Sequence, residues 1–187
     1  PLWASRHEDL RAYYDTEWGM PVRDERGVFE RLALEGFQAG LSWRTILHKR
    51  DAFRRAFSDF DPASVAGYTE ADVRRLLADA GIVRNRLKVA ATIGNAQSFL
   101  LIQRDLGSFD RYIWQFTSYG TLRPSQGVTL ETVPSSTPES DAMSRELRKR
   151  GFRFVGPTIC YAFMQSVGMV NDHVNQCWRA PEDLEIV

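Results

Sequence analysis

Two groups of residues in this 187-residue chain have the types and spacings to do chemistry. One lies near the C-terminus in VNDHVNQC, where His173 and Cys177 stand four residues apart. On a helix both would face one way, and an imidazole with a thiolate is half of a tetrahedral zinc site. The other lies in YYDTEWG and LEGFQAGLSW, which set Glu35 and Glu17 among Tyr13, Tyr14, Trp18 and Trp43. Glu35 shares a helical stripe with Leu32, which turns it inward. A buried carboxylate is costly unless it is paired or held for chemistry. Rings beside it would stack on a planar ligand and favour a cationic one. The bland alternative makes Trp18 and Trp43 core, with Glu35 paired to an arginine or a backbone group. Spacing alone leaves both readings open.

A third group is basic. In SRELRKRGFRFVGPTICYAFMQ the cations Arg145, Arg148, Lys149, Arg150 and Arg153 stand close together, with Glu146 as the lone carboxylate among them. Gly151 and Gly156 bracket the apolar run from Phe152 to Val155, and Pro157 can begin another helix. A helix, a tight turn and a helix N-terminus together grip a phosphate backbone without reading bases. Lys149, Arg150, Gly151, Arg153, Gly156 and Thr158 are the residues expected to touch DNA. Pro157 weakens the anion site, because it has no N–H. A solvated basic helix face is the competing account.

The elements that must position these groups read as helices. Apolar spacing predicts helices over about 24–39, 84–105, 157–167 and 170–178. Thr69 to Asp72 resembles a capping box ahead of Val73, with Gly81 as the stop. Thr137 and Pro138 open a helix that ends at Gly151. The polar stretch 119–134 is long enough to mark a lobe boundary or a mobile loop. The length fits one domain over 1–187, with a core that needs no staples. Two cysteines argue for a reduced, cytoplasmic setting, and no apolar run is long enough to cross a bilayer. The formal net charge of zero means that a nucleic acid would have to be held by a local basic patch.

At these residues the chain resembles the 3-methyladenine DNA glycosylase I family, within the helix-hairpin-helix superfamily of base-excision glycosylases. YYDTEWG, LEGFQAGLSW, FDPASVA, DAGIVRNRLK, IGNAQ, SDAMSRELRKRGFRFVG and VNDH stand in the family's order, from about Trp3 to Cys177. The resemblance implies an all-α helix-hairpin-helix fold, a single domain with two helical lobes and the hairpin element at about 138–168. It implies a monofunctional enzyme that flips 3-methyladenine out of alkylated double-stranded DNA and hydrolyses its N-glycosidic bond. On the same basis Glu35 is the carboxylate that binds the extruded base, and Tyr13 and Trp43 are the rings of the base pocket, with Trp18 close by. Gly40 and Leu41 look like the wedge that fills the gap in the duplex. Asp172 would either orient water or stabilise charge as a catalytic group, or cap the following helix. A monomer without a membrane partner is expected.

The family also ties its termini with zinc, held by an N-terminal Cys, the His of a YHD motif and a C-terminal His and Cys. His173 and Cys177 match the C-terminal pair, whereas Pro1 and Tyr14 replace the other two. Neither proline nor a neutral phenol is a normal zinc ligand. No zinc is therefore expected, and packing around Trp3, Tyr14 and Trp178 would join the termini instead. Two rivals follow. A non-catalytic module could bind damaged or structured DNA through the same hairpin, although it would have no need to bury Glu35. A metal-dependent enzyme centred on His173 and Cys177 lacks a third ligand.

Overall fold

The computed structural model describes residues 4, 7–123, 129 and 131–173. Among these residues the regular structure is helical, and the only strand-like pairing is a parallel bridge between Leu122 and Val170. The helices are α1 (Glu8–Thr16), α2 (Glu25–Gln38), α3 (Trp43–Ala56), α4 (Pro62–Ala66), α5 (Glu70–Ala78), α6 (Arg86–Leu106), α7 (Phe109–Trp114), α8 (Pro138–Lys149) and α9 (Pro157–Ser166). Short 3-10 turns occupy Ser58–Phe60 and Gln115–Thr117.

Local chemistry explains the starts. Asp24 accepts from the Gly27 N–H at 2.7 Å, satisfying one of the orphan donors at the head of α2. Asp72 closes the expected capping box by accepting from the Thr69 N–H at 2.9 Å. Thr137 and Ser140 do the same for α8, at 3.3 and 2.9 Å. The α5 helix ends at Ala78 rather than at Gly81, because Asp79 caps it and takes the Gly81 N–H at 2.7 Å.

The α2 helix is buried almost all round, from Val28 to Phe37, and packs against α3, α6 and α9. A ladder of aromatic rings fills the centre: Phe37 meets Phe53 with centroids 4.6 Å apart, and Phe99 stacks on Phe109 at 4.1 Å. One apolar cluster runs continuously from Val28 to Val170. A charged residue on α2 therefore faces protein unless it lies at an end.

The expected helix over 170–178 is not what its described part shows. Val170 bridges Leu122, and the Asn171 N–H donates to the Leu122 carbonyl at 2.9 Å. Backbone groups committed to that pairing are withdrawn from a helical ladder, so residues 171–173 run without helix. The same pairing pins the start of the 119–134 stretch, with the Leu122 N–H on the Met169 carbonyl at 2.8 Å. Positions 174–178 lie outside the described residues, as do Pro1, Trp3, Cys177 and Trp178.

Candidate active site and nucleic-acid interface

Glu35 lies on α2 with 5% of its surface exposed. Among the described residues neither a hydrogen bond nor an ion pair engages its carboxylate, so the alternative that paired it to an arginine or a backbone group is not what these residues show. Burial pushes the carboxyl up to about 8, against a smaller opposing pull from Arg31. Tyr13, from α1, and Trp43, the first residue of α3, stand with ring centroids 5.3 Å apart and planes at 42°. The charge of Glu35 reaches the Tyr13 hydroxyl, whose acidity burial has already suppressed. The Trp43 indole Nε1 is buried and meets no acceptor among the described residues. Two rings, a carboxyl without a partner and an unused donor thus meet in one place.

Behind the Tyr13 ring lies an ionic network that the sequence analysis does not single out. Arg31 donates to the Tyr13 hydroxyl at 3.0 Å and to Glu17 at 2.9 Å. Arg50 takes the same Glu17 carboxylate in bidentate fashion at 2.6 and 2.8 Å. The two guanidiniums lie 5.4 and 6.0 Å from the Tyr13 ring centroid. They hold Glu17 below the usual carboxylate range although burial opposes them. Arg31 carried a usable signal, because it stands four residues before Glu35 and so shares its face.

Trp18 is tied to Tyr13 through the backbone, its N–H donating to the Tyr13 carbonyl at 3.0 Å. It stacks on Tyr14 at 5.3 Å and meets the His173 ring edge-on at 4.9 Å, making no ring contact with Tyr13 or Trp43. Tyr14 and His173 complete the cluster, with centroids 5.2 Å apart. The pair present is a phenol and an imidazole whose Nδ1 lies 2.8 Å from the Asn171 Oδ1. Among the described residues no three His, Cys, Asp or Glu side chains gather to hold a metal. Among the described residues a phenol and one imidazole do not by themselves make a tetrahedral zinc site, and Cys177 lies outside them.

Asp172 is buried, and its Oδ2 accepts from the Tyr161 hydroxyl and from Gln165 Nε2 at 2.7 Å. Its carboxylate is thus tied to α9. The positions after 173, where a helix to be capped was expected, lie outside the described residues.

Between the pocket helices is a tight turn. Gly40 has φ +79° and open space where a Cβ would stand, and the Leu41 N–H donates to the Gln38 carbonyl at 2.7 Å. Leu41 is 38% exposed. An apolar side chain presented to water at the end of the helix that carries Glu35 has the form of a duplex wedge.

The basic element forms as α8, turn and α9. Gly151 takes φ +91°, as the turn requires. Gly156 keeps φ −64° as the N-cap of α9, and the second left-handed residue of the turn is Phe154 at +55°. Asn95 of α6 clamps the turn by binding the Arg153 N–H at 2.8 Å and its carbonyl at 3.0 Å. Phe152 and Val155 are buried, whereas Lys149, Arg150, Gly151, Arg153 and Thr158 are exposed and Gly156 is half-buried. Arg150 lies over the Tyr112 ring at 5.0 Å, and Lys149 pairs with Glu146 at 2.7 Å. A Cβ at Gly36 would stand 3.5 Å from Phe154, so the helix that carries Glu35 abuts this turn directly.

Comparison with known proteins agrees with this geometry. The family model described as methyladenine glycosylase matches residues 3–180. The Escherichia coli (strain K12) protein named DNA-3-methyladenine glycosylase 1 is 49% identical over 179 residues, covering 96% of this chain and 95% of that protein. A crystal structure of 3-methyladenine DNA glycosylase I superposes with a TM-score of 0.92 at 46% identity, covering 96% of this chain and 98% of the other. The Staphylococcus aureus enzyme, whose structure concerns 3-methyladenine recognition, gives a TM-score of 0.90 at 33% identity, over 94% and 93% of the two chains. Matched over nearly its full length, the chain belongs to the methyladenine glycosylase family.

Proposed function

We propose that this protein excises 3-methyladenine from alkylated double-stranded DNA as a monofunctional glycosylase, working as a monomer without a resident metal. The observation that carries this reading is Glu35, buried beside Tyr13 and Trp43 and, among the described residues, without an ionic partner. A backbone-binding module would have no reason to bury a carboxyl in this way.

Methylation at N3 makes the base cationic, so it departs readily once the bond to C1′ weakens. The exposed turn of the basic element would hold the backbone, and Leu41 would fill the space that the extruded nucleotide leaves. Extrusion costs a few kcal/mol, least for a base that pairs poorly. Stacking on Tyr13 and Trp43 recovers roughly 1–3 kcal/mol. Glu35 accepts from the exocyclic amine and balances the positive charge. Water then adds its oxygen to C1′, the bonding pair leaves with the base as neutral 3-methyladenine, and the water's proton passes to solvent. The product is an abasic site in an uncut strand.

The test is to incubate the protein with methylated duplex DNA and identify the bases released. Release of 3-methyladenine that collapses in Glu35→Ala and Trp43→Ala supports the reading. Tight duplex binding without release would favour the non-catalytic module.

A further inference from the structure

Lys88 is a buried cation that no step above uses. It lies on α6, two residues after its start, with 7% of its surface exposed. Its ammonium donates to the Phe37 carbonyl at 2.8 Å and to the Ala39 carbonyl at 2.5 Å. These are carbonyls of the last turn of α2, left without intrahelical partners where the helix stops. Gly40 begins the turn immediately afterwards, and the turn's own hydrogen bonds use the Gln38 carbonyl and the Leu41 carbonyl.

We propose that Lys88 is a positioning residue for the wedge turn, fixing Gly40 and Leu41 relative to the base pocket by tying the end of α2 to the start of α6. The inference rests on the glycosylase reading above.

The placement favours this role. A cation belongs at a helix C-terminus, where the peptide dipoles leave negative charge. Burial lowers the Lys88 pKa, so the site is costly to maintain and its two carbonyl partners are what offset that cost. The tie falls between Glu35 on α2 and Leu41 in the turn that follows it. Glu35 lies two and four residues before the held carbonyls, and Leu41 lies two residues after Ala39. Loss of the tie leaves Glu35 embedded in α2 while the turn is freed, so the effect should appear on duplex and not on a free base. Misplacement by about 1 Å can cost on the order of a hundredfold in rate, which makes a single buried tie worth keeping.

The test is a double-mutant cycle of Lys88→Met and Leu41→Ala, with thermal unfolding recorded for each variant. Excision from methylated duplex should fall by roughly ten- to a hundredfold in Lys88→Met. In the Leu41→Ala background the same change should cost less than about twofold, because the part that Lys88 positions is already gone. Binding of free 3-methyladenine, followed by tryptophan fluorescence, should be unchanged. Equal losses in both backgrounds, or an equal loss of free-base binding, would overturn the proposal. If Lys88→Met does not fold, Lys88→Gln, which keeps an amide donor, is read by the same criteria. If the parent protein releases no base, the glycosylase reading fails separately. Lys88 is then judged by 2-aminopurine fluorescence beside an abasic site, where loss of unstacking in Lys88→Met supports the role and unchanged unstacking removes it.

Discussion

Arg31 stands one helical turn before Glu35, yet its guanidinium pairs with Glu17 and with the Tyr13 hydroxyl and not with Glu35. Glu35 therefore feels a nearby cation without being neutralised by it. Burial dominates and raises its pKa to about 8, which favours the protonated carboxyl over the ionised one near neutral pH. A cationic base needs the ionised form. The expected outcome is that kcat/KM for 3-methyladenine release rises with pH and levels off above about 8, since kcat/KM reports the free enzyme. Arg31→Met removes the opposing pull and should move that limb to higher pH, while Arg31→Lys should hold it closer to the parent. A profile flat from pH 6 to 9 in the parent would refute the assignment.

The same shift has a consequence for stability. A carboxyl whose pKa is higher in the folded state contributes full stability below its unfolded pKa and loses it as pH rises through the folded value. For Glu35 that window runs from about 4.5 to about 8. Glu35→Gln keeps the shape and removes the titration. It should match the parent near pH 4 and exceed it at pH 7 by up to about 3 kcal/mol, while releasing no base. Thermal melts of both proteins across this range give the comparison, and a difference that does not depend on pH would contradict it.

Much of this site could be read in the sequence because local chemistry fixed it. The Glu35 stripe, the Thr69 and Thr137 caps and the α8–turn–α9 element all follow from residues close in sequence. What escaped depends on long-range packing. Glu17 meets Arg50 across 33 residues, and Lys88 meets Phe37 across 51, so no periodicity marks either contact. The segment after Val170 has helical spacing, but its backbone is claimed by Leu122, 48 positions earlier. Trp18 stacks on Tyr14 and meets His173, a cluster that joins residues more than 150 positions apart and that no local spacing marks.

The Tyr14 and His173 contact predicts independence from metal. Both rings are buried, and Trp18 packs against each of them. Purified protein should carry well under one zinc per chain, and a strong chelator should leave its Tm unchanged. Tyr14→Ala should cost about 3 kcal/mol by opening a cavity where a large side chain was packed. Stoichiometric zinc on elemental analysis would overturn this view.

Asp172 offers the sharpest choice between structure and catalysis. Its Oδ2 accepts from Tyr161, whose hydroxyl acidity is suppressed first by burial and then by this carboxylate, and from Gln165. Both donors come from α9, and the next residue, His173, meets Trp18. Removing the carboxylate leaves a buried phenol without its acceptor, which costs about 1–3 kcal/mol. Asp172→Ala should therefore lower the unfolding free energy by about that amount, and Tyr161→Phe should cost less because it removes the donor along with the bond. In folded protein, base release by Asp172→Ala should stay within about twofold of the parent if these two hydrogen bonds to α9 are all that the carboxylate does. If release fell a hundredfold while the melting temperature held, Asp172 would instead be acting on the sugar or the water.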